Sequence, residues 1–153
     1  MSAARRILII GYGNPGRGDD GLGPALAAMV EREGIDGVIV HEDYQLTVES
    51  AQDVAQSEMV IFADASMDEA GRFSIVPILP VPSPQFDSHS LSPGTVLYLA
   101  LTLFGAKPEA YLVSIRGYEF DRFGESLSKK AEANLAAAAK RVFALLSESV
   151  SSL

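Results

Sequence analysis

The sequence predicts a three-layer α/β fold in which helices cover both faces of a mostly parallel sheet. Two observations lead to this prediction. Short apolar runs of strand length alternate along the chain with longer segments that carry one apolar helical face. The chain also has 153 residues, 48% of them hydrophobic and 21% charged, and these values are typical of one globular domain. We therefore predict a single domain over residues 1–153.

The first half of the chain is predicted to contain three strands and two helices. The run at 6–11 is continuously apolar after Arg6 and ends in glycine, which is typical of a buried parallel strand. Pro24 suits the first turn of a helix, Gly34 can end that helix, and Thr47 can cap the next one. The predicted strands are 6–11, 38–40 and 59–62, the last continuing to Asp64, and the predicted helices are 24–33 and 48–56.

The second half is predicted to contain two strands and two helices. A strand at 73–79 follows a short turn and can reverse direction. Proline lacks the N–H donor that a ladder needs, so the prolines in and after this strand place it at a sheet edge. These prolines are Pro77, Pro80, Pro82 and Pro84. The remaining predicted elements are a helix at 92–105, a strand at 111–115 and a long Ala-rich helix at 127–146.

The composition excludes several classes of partner and site. The chain has 12 Lys and Arg against 20 Asp and Glu, a net charge of −8, so neither nucleic acid nor a membrane surface is an expected partner. Cysteine is absent, which excludes disulfides, thiolate metal sites and a cysteine nucleophile. No apolar run approaches the roughly 20 residues of a membrane span, and no targeting segment is recognisable, so we expect a cytoplasmic protein.

Three acidic residues follow the first and third predicted strands. If those strands are neighbours and the second strand lies on the other side of the first, the strand order reverses there, and ligands of open α/β sheets bind at such a point. Asp19, Asp20 and Asp64 would then lie there, and His89 in a polar loop could reach them. Two carboxylates and one imidazole suit a divalent metal with open positions, without choosing among nickel, zinc, iron and manganese. The plainer alternative is that Asp19 and Asp20 only complement a helix dipole.

Other sites are weighed against this carboxylate site. Residues 11–16 match the G-x-G-x-x-G pattern of dinucleotide-binding loops, yet two acids stand before the helix, where they would repel a pyrophosphate. The glycines are then explained by tight turning of the loop. A serine triad built on Ser66, Ser88 or Ser90 lacks the G-x-S-x-G elbow. The second histidine, His41, is near the end of the second strand and is expected to be structural.

Five motifs, in the same order, resemble those of the nickel–iron hydrogenase maturation endopeptidases. Any one of them is weakly specific, but together they span nearly the whole chain. They are 11–14 (GYGN) with 19–23 (DDGLG), 44–49 (YQLTVE), 60–65 (VIFADA), 88–93 (SHSLSP), and 117–120 (GYEF) with 124–128 (GESLS).

This resemblance implies a fold, an activity and a set of site residues. The implied fold is a three-layer α/β/α sandwich on a five-stranded, mostly parallel mixed sheet. The implied activity is that of an endopeptidase that removes the C-terminal extension of a [NiFe]-hydrogenase large-subunit precursor, with nickel supplied by the precursor and no organic cofactor. By position, Asp20, Asp64 and His89 are the implied nickel contacts and catalytic residues, and Asp19 is a candidate helper. The alternative is a nickel- or precursor-binding chaperone of the same fold that does not hydrolyse peptide bonds.

Overall fold

The computed structural model describes residues 5–82 and 91–150. Within these ranges the chain forms five strands, four α-helices and a short 3₁₀ helix at Gly18–Gly21. Among the same residues, no helix is long and apolar enough to cross a membrane. The strands are β1 (Ile7–Tyr12), β2 (Val38–Asp43), β3 (Met59–Ser66), β4 (Phe73–Pro77) and β5 (Glu109–Arg116), and the helices are α1 (Leu22–Glu33), α2 (Val48–Ala55), α3 (Pro93–Phe104) and α4 (Lys129–Val150).

The five strands form one mixed sheet in the order β2-β1-β3-β5-β4. β1 pairs in parallel with both β2 and β3, and β3 pairs in parallel with β5. β4 pairs antiparallel with β5 and forms an edge of the sheet, which confirms the position predicted from the prolines. The strand order reverses between β1 and β3, as the prediction of the site requires.

Two apolar cores lie between the sheet and the helices, one on each face of the sheet. α1 and α4 pack on one face, and α2 and α3 pack on the other. The buried strand β1 contributes to both cores, because Ile7 and Ile9 point to one face while Leu8 and Ile10 point to the other. This arrangement confirms the predicted three-layer fold. It also explains why the first apolar run is continuous rather than alternating.

Strand β2 is longer than predicted because its neighbour provides hydrogen-bond partners. It continues to Asp43 rather than ending at Val40, since Glu42 and Asp43 stay in register with Gly11 and Tyr12 of β1. β2 is an edge strand, so its polar side chains can face solvent while its backbone remains paired. The end of β2 is therefore set by backbone pairing with β1. The prediction that β2 ends at Val40, where polar side chains begin, was wrong.

The N-terminus of α1 packs against the ends of β1 and β3 without space for side chains. A Cβ atom added at Gly11 would lie 2.1 Å from the carbonyl oxygen of Gly23, and one added at Gly23 would lie 2.4 Å from that of Ala63. Both distances are far inside van der Waals contact, so these positions require glycine. The contact fixes the start of α1 at the carboxyl ends of β1 and β3, where the loops after these strands begin.

Gly11→Ala should lower the free energy of unfolding by about 1–3 kcal/mol, the usual cost of forcing extra atoms into a packed core. Gly11 does not have a positive φ, so the loss would come from the clash with Gly23 and not from backbone strain. Gly71→Ala is the matched control, because Gly71 also lacks a positive φ and has open space at its Cβ position. Urea unfolding of both variants is the measurement, and equal stability of the two would contradict the close contact.

Candidate carboxylate site

The site predicted from the strand order lies at the carboxyl ends of β1 and β3. β1 lies between β2 and β3 in the sheet, and all three run in the same direction. The loops that follow β1 and β3 therefore leave the sheet at the same end, one leading through α1 to β2 and the other to β4, and ligands of open α/β sheets bind at such a point. Tyr12 and Asp64 lie close to the ends of these two strands, and the 3₁₀ helix with Asp19 and Asp20 follows β1.

Asp64 has an unusual proton affinity for a carboxyl group. It lies on β3, in register with Ser114 of β5, and is largely buried. Burial is the main cause that raises its pKa to about 6, and the negative charge of Asp20 raises it further. Hydrogen bonds from the Ala65 N–H and the Tyr12 hydroxyl act in the opposite direction but do not outweigh burial. Asp64 can therefore gain or lose a proton close to neutral pH.

Tyr12 is a member of this site that the sequence analysis did not identify. Its hydroxyl forms a hydrogen bond with Asp64, and burial together with the negative charge of Asp64 raises its pKa well above the ordinary tyrosine value. The hydroxyl therefore stays protonated and donates to the carboxylate. A signal for it is present in the sequence, because Tyr12 separates the first two glycines of the opening motif.

Asp20 is held by the loop that precedes it. Its Oδ2 accepts a hydrogen bond from the Asn14 N–H at 2.7 Å, and Asn14 Oδ1 accepts one from the Gly16 N–H at 2.9 Å. The negative charge of Asp20 raises the pKa of Asp64, so the two carboxylates lie near each other at this end of the sheet. The structure thus brings together two of the three residues that the sequence analysis proposed as ligands.

The third proposed ligand, His89, lies outside the described residues. Within residues 5–82 and 91–150, no group of three or more His, Asp and Glu side chains is arranged to hold a metal ion. Leu91, the first described residue after this segment, donates its N–H to the carbonyl oxygen of Leu46 at 3.1 Å, just before α2. The three-ligand nickel contact therefore stays a prediction.

The alternative site residues have other partners. His41 Nδ1 lies 3.6 Å from Asp53 Oδ2 of α2, and both side chains are partly exposed. Ser66 Oγ accepts a hydrogen bond from the Asp68 N–H at 3.2 Å and serves a turn. The other two serines considered for a triad, at positions 88 and 90, lie outside the described residues. His41 thus lies between β2 and α2, where it forms an ion pair with Asp53 when the imidazole is protonated.

The glycines of the first motif serve the turn and its close packing. Gly13 has a φ of 141°, and a Cβ atom there would lie 2.1 Å from the carbonyl oxygen of Asp20. The 3₁₀ helix at Gly18–Gly21 intervenes between the third glycine of the pattern, Gly16, and the start of α1. In a dinucleotide-binding loop the third glycine stands at the start of the helix, whereas in this chain Gly16 does not.

Asp19 does not point into the site with Asp20. It is fully buried, and its carboxylate accepts four hydrogen bonds from a loop that precedes α4. Burial alone would raise the pKa of Asp19, but the hydrogen bonds from Ser128, Tyr118 and Glu119 outweigh it and hold this pKa below its ordinary value. The sequence suggested that Asp19 stabilises a helix dipole or helps catalysis beside Asp20. Neither interpretation describes its buried hydrogen bonds to the loop before α4.

Open grooves lead from the loop after β1 toward α2. The larger groove has a volume of about 640 Å³ and runs along the end of β2, past His41 and Asp53. A second hollow of about 200 Å³ lies between Gly13, Pro24 and Tyr44. The two share part of their lining, so they adjoin each other beside the loop that holds Asp20. The lining residues that they share are Glu42, Asp43 and Tyr44.

The raised pKa of Asp64 predicts how the free energy of unfolding of the metal-free protein depends on pH. Because the folded state binds this proton more tightly than the unfolded chain, the stability that the proton provides is present in acid and is lost as the pH rises through about 6. Asp64→Asn should therefore raise the free energy of unfolding at pH 8 by about 1–3 kcal/mol. The gain should shrink toward pH 4.

Urea unfolding in the presence of a chelator, at both pH values, checks this stability difference. Asp36→Asn is the control, because Asp36 is an exposed carboxyl in the turn between α1 and β2. A pH-independent effect of Asp64→Asn would contradict the assignment of a raised pKa to this carboxyl.

Solved structures of several hydrogenase maturation enzymes have similar folds. The hydrogenase maturating endopeptidase HybD from E. coli has a TM-score of 0.72 at 24% identity, over 94% of this chain and 93% of that one. The [NiFe] hydrogenase maturation protease HycI from Thermococcus kodakarensis KOD1 has a TM-score of 0.72 at 22% identity, with 95% of each chain covered. No protein-family model and no curated protein matches the chain. The chain therefore has the fold of these hydrogenase maturation endopeptidases, which confirms at the level of the fold the resemblance that its motifs predict.

Proposed function

We propose that this protein is an endopeptidase that removes the C-terminal extension of a nickel-loaded [NiFe]-hydrogenase large-subunit precursor. The observation that carries the proposal is the pair of carboxylates at the strand-order reversal, Asp20 and Asp64, with the pKa of Asp64 raised to about 6. The fold supports it, because solved structures with this fold are named as endopeptidases of hydrogenase maturation. The order of the five sequence motifs is an independent support.

The chemistry that this pair suits is hydrolysis with a carboxylate as general base. A base works best when its pKa is near the working pH, and burial brings Asp64 into that range. Asp64 would accept a proton from the attacking water, and the protonated carboxyl would then supply a proton to the leaving amine. The Tyr12 hydroxyl orients the Asp64 carboxylate through its hydrogen bond. Asp20 is the second carboxyl group of the pair.

Nickel enters this proposal as part of the substrate. Asp20, Asp64 and His89 supply two oxygen donors and one nitrogen donor, a set that suits a borderline divalent ion with open positions. In this scheme, contact with the nickel of the precursor would mainly report that the precursor is loaded. The alternative is that the ion, and not Asp64, activates the scissile bond by polarising its carbonyl. The protein itself needs no organic cofactor in this scheme.

The proposed partner is the precursor alone, and the proposed compartment is the cytoplasm. The net charge of −8 disfavours nucleic acid as a further partner. The groove of about 640 Å³ along β2 is large enough to receive an extended peptide segment and leads toward the loop that holds Asp20. We therefore place the C-terminal extension of the precursor along this groove.

Incubation with nickel-loaded precursor separates the protease from the alternative, a precursor-binding chaperone. The protease should shorten the nickel-loaded precursor and leave the nickel-free precursor intact, as seen on a denaturing gel. A stable complex with nickel-loaded precursor in which the precursor keeps its full length would contradict the proposal and favour the chaperone.

A further inference from the structure

Asp19 connects two loops that are far apart in the sequence. We call residues 13–21 the opening loop and residues 117–128 the late loop. Asp19 Oδ1 accepts a hydrogen bond from the Ser128 N–H at 2.7 Å. Its Oδ2 accepts hydrogen bonds from the N–H groups of Tyr118 at 2.8 Å and Glu119 at 3.0 Å, and from the Ser128 hydroxyl at 2.7 Å. The donors come from both ends of the late loop, so one carboxylate holds the two ends together.

The backbones of the two loops are also joined directly. The Gly18 N–H donates to the carbonyl oxygen of Gly124 at 3.1 Å, and the Gly124 N–H donates to that of Gly16 at 2.9 Å. A Cβ atom at Gly18 would lie 2.4 Å from the carbonyl oxygen of Glu119, and one at Gly117 would lie 2.8 Å from the Cβ of Asp19. The loops therefore touch along their lengths, with Asp19 at the centre of the contact.

Asp20 depends on this contact because it follows Asp19 in the same 3₁₀ helix. Its carboxylate accepts from the Asn14 N–H, its own N–H donates to the carbonyl oxygen of Arg17 at 3.1 Å, and its backbone continues directly from the buried Asp19. We propose that Asp19 is a positioning residue, which locks the opening loop to the late loop and thereby holds Asp20 beside Asp64. The meaning of this position for catalysis rests on the proposed function, whereas the connection between the loops does not.

An amide side chain in place of the Asp19 carboxylate cannot reproduce these bonds. Each carboxylate oxygen of Asp19 accepts from at least one backbone N–H. In Asp19→Asn, the amide nitrogen can only donate, so it would face a backbone donor in either orientation of the side chain. At least one buried backbone N–H would be left without a partner. Ser128→Ala is milder toward Asp19, because it keeps the backbone N–H of residue 128 and removes only the hydroxyl bond to the carboxylate, together with the bond from the Ala131 N–H to Ser128 Oγ in the first turn of α4.

The test combines hydrogen exchange of the late loop with the kinetics of precursor cleavage. In Asp19→Asn, the amides of Tyr118, Glu119 and Ser128 should exchange about tenfold faster or more, because their acceptor is impaired. The kcat for nickel-loaded precursor should fall by about 10- to 100-fold, with little change in KM, because a displaced catalytic group affects chemistry more than binding. Ser128→Ala should shift both quantities in the same direction by less.

Val142→Ala separates positioning from a general loss of stability. Val142 is fully buried in α4 and has no part in the loop contact, so this variant should melt at a lower temperature and keep the wild-type kcat. Wild-type exchange and kcat in Asp19→Asn, or a lower melting temperature with unchanged kcat, would overturn the inference. If Asp19→Asn does not fold, the amide exchange and kcat of Ser128→Ala decide by the same criteria.

If the wild-type protein does not cleave the precursor, the proposed function fails, and the exchange data alone decide whether Asp19 holds the late loop.

Discussion

Asp64→Asn should slow the cleavage of nickel-loaded precursor by about 10²–10⁴-fold, the range expected when a general base is removed. Asn has nearly the shape of Asp and can still accept the hydrogen bond from Tyr12, so packing should be preserved. The same substitution should increase stability above pH 6, because it removes a charge whose burial raises the pKa of Asp64. A more stable but inactive variant would show that the buried carboxylate is retained for chemistry.

Asp20→Asn is the companion variant and should lose activity to a similar extent. The substitution keeps an oxygen that can accept from the Asn14 N–H, so the loop should keep its conformation. Asp36→Asn, at an exposed carboxyl in the turn after α1, should cleave at the wild-type rate. Rapid cleavage by both site variants, measured as initial rates with circular dichroism as a check on folding, would remove the carboxylate pair from the mechanism.

His89→Ala should reduce the kcat for cleavage by about 100-fold or more, whereas His41→Ala should leave kcat almost unchanged and affect KM alone, because His41 lines the proposed peptide groove. His89 belongs to the motif that resembles the histidine loop of the maturation endopeptidases and is the proposed nitrogen contact to nickel. His41 instead lies against Asp53 between β2 and α2, at a partly exposed position. Its loss should change the free energy of unfolding by no more than about 0.5 kcal/mol.

The two histidine variants control for each other, because the chain has only 2 histidines. Precursor-cleavage rates and circular dichroism should be measured on both. An inactive His41 variant with an active His89 variant, both natively folded, would reverse the assignment of the catalytic imidazole.

Much of the fold follows from local patterns in the sequence. The apolar run of β1 is continuous because both of its faces are covered, as the division of Ile7 and Leu8 between the two cores shows. The position of β4 at the edge follows from its prolines, which cannot donate to a ladder. The extension of β2 to Asp43 does not follow in this way, because it depends on pairing with β1 and not on its own side chains.

The site could be predicted only in part, because some of its contacts join residues that are far apart in the sequence. Asp20 and Asp64 stand where strand order alone places a ligand site, so their sequence positions were informative. The role of Asp19 depends on Ser128, which is 109 positions away, and no local pattern indicates that contact. An acid in a glycine-rich loop is typical of an exposed residue, yet Asp19 is fully buried. Tyr12 was missed because its partner, Asp64, is on another strand.

The mass of nickel-loaded precursor after incubation with this protein in heavy-oxygen water tests the central claim most directly. Hydrolysis predicts that the large subunit loses one short C-terminal peptide and that its new terminal carboxyl carries one heavy oxygen atom from the water. The Asp64→Asn protein should leave the precursor at its full mass. An unchanged precursor mass with the wild-type protein, under conditions in which the two proteins bind each other, would contradict the account.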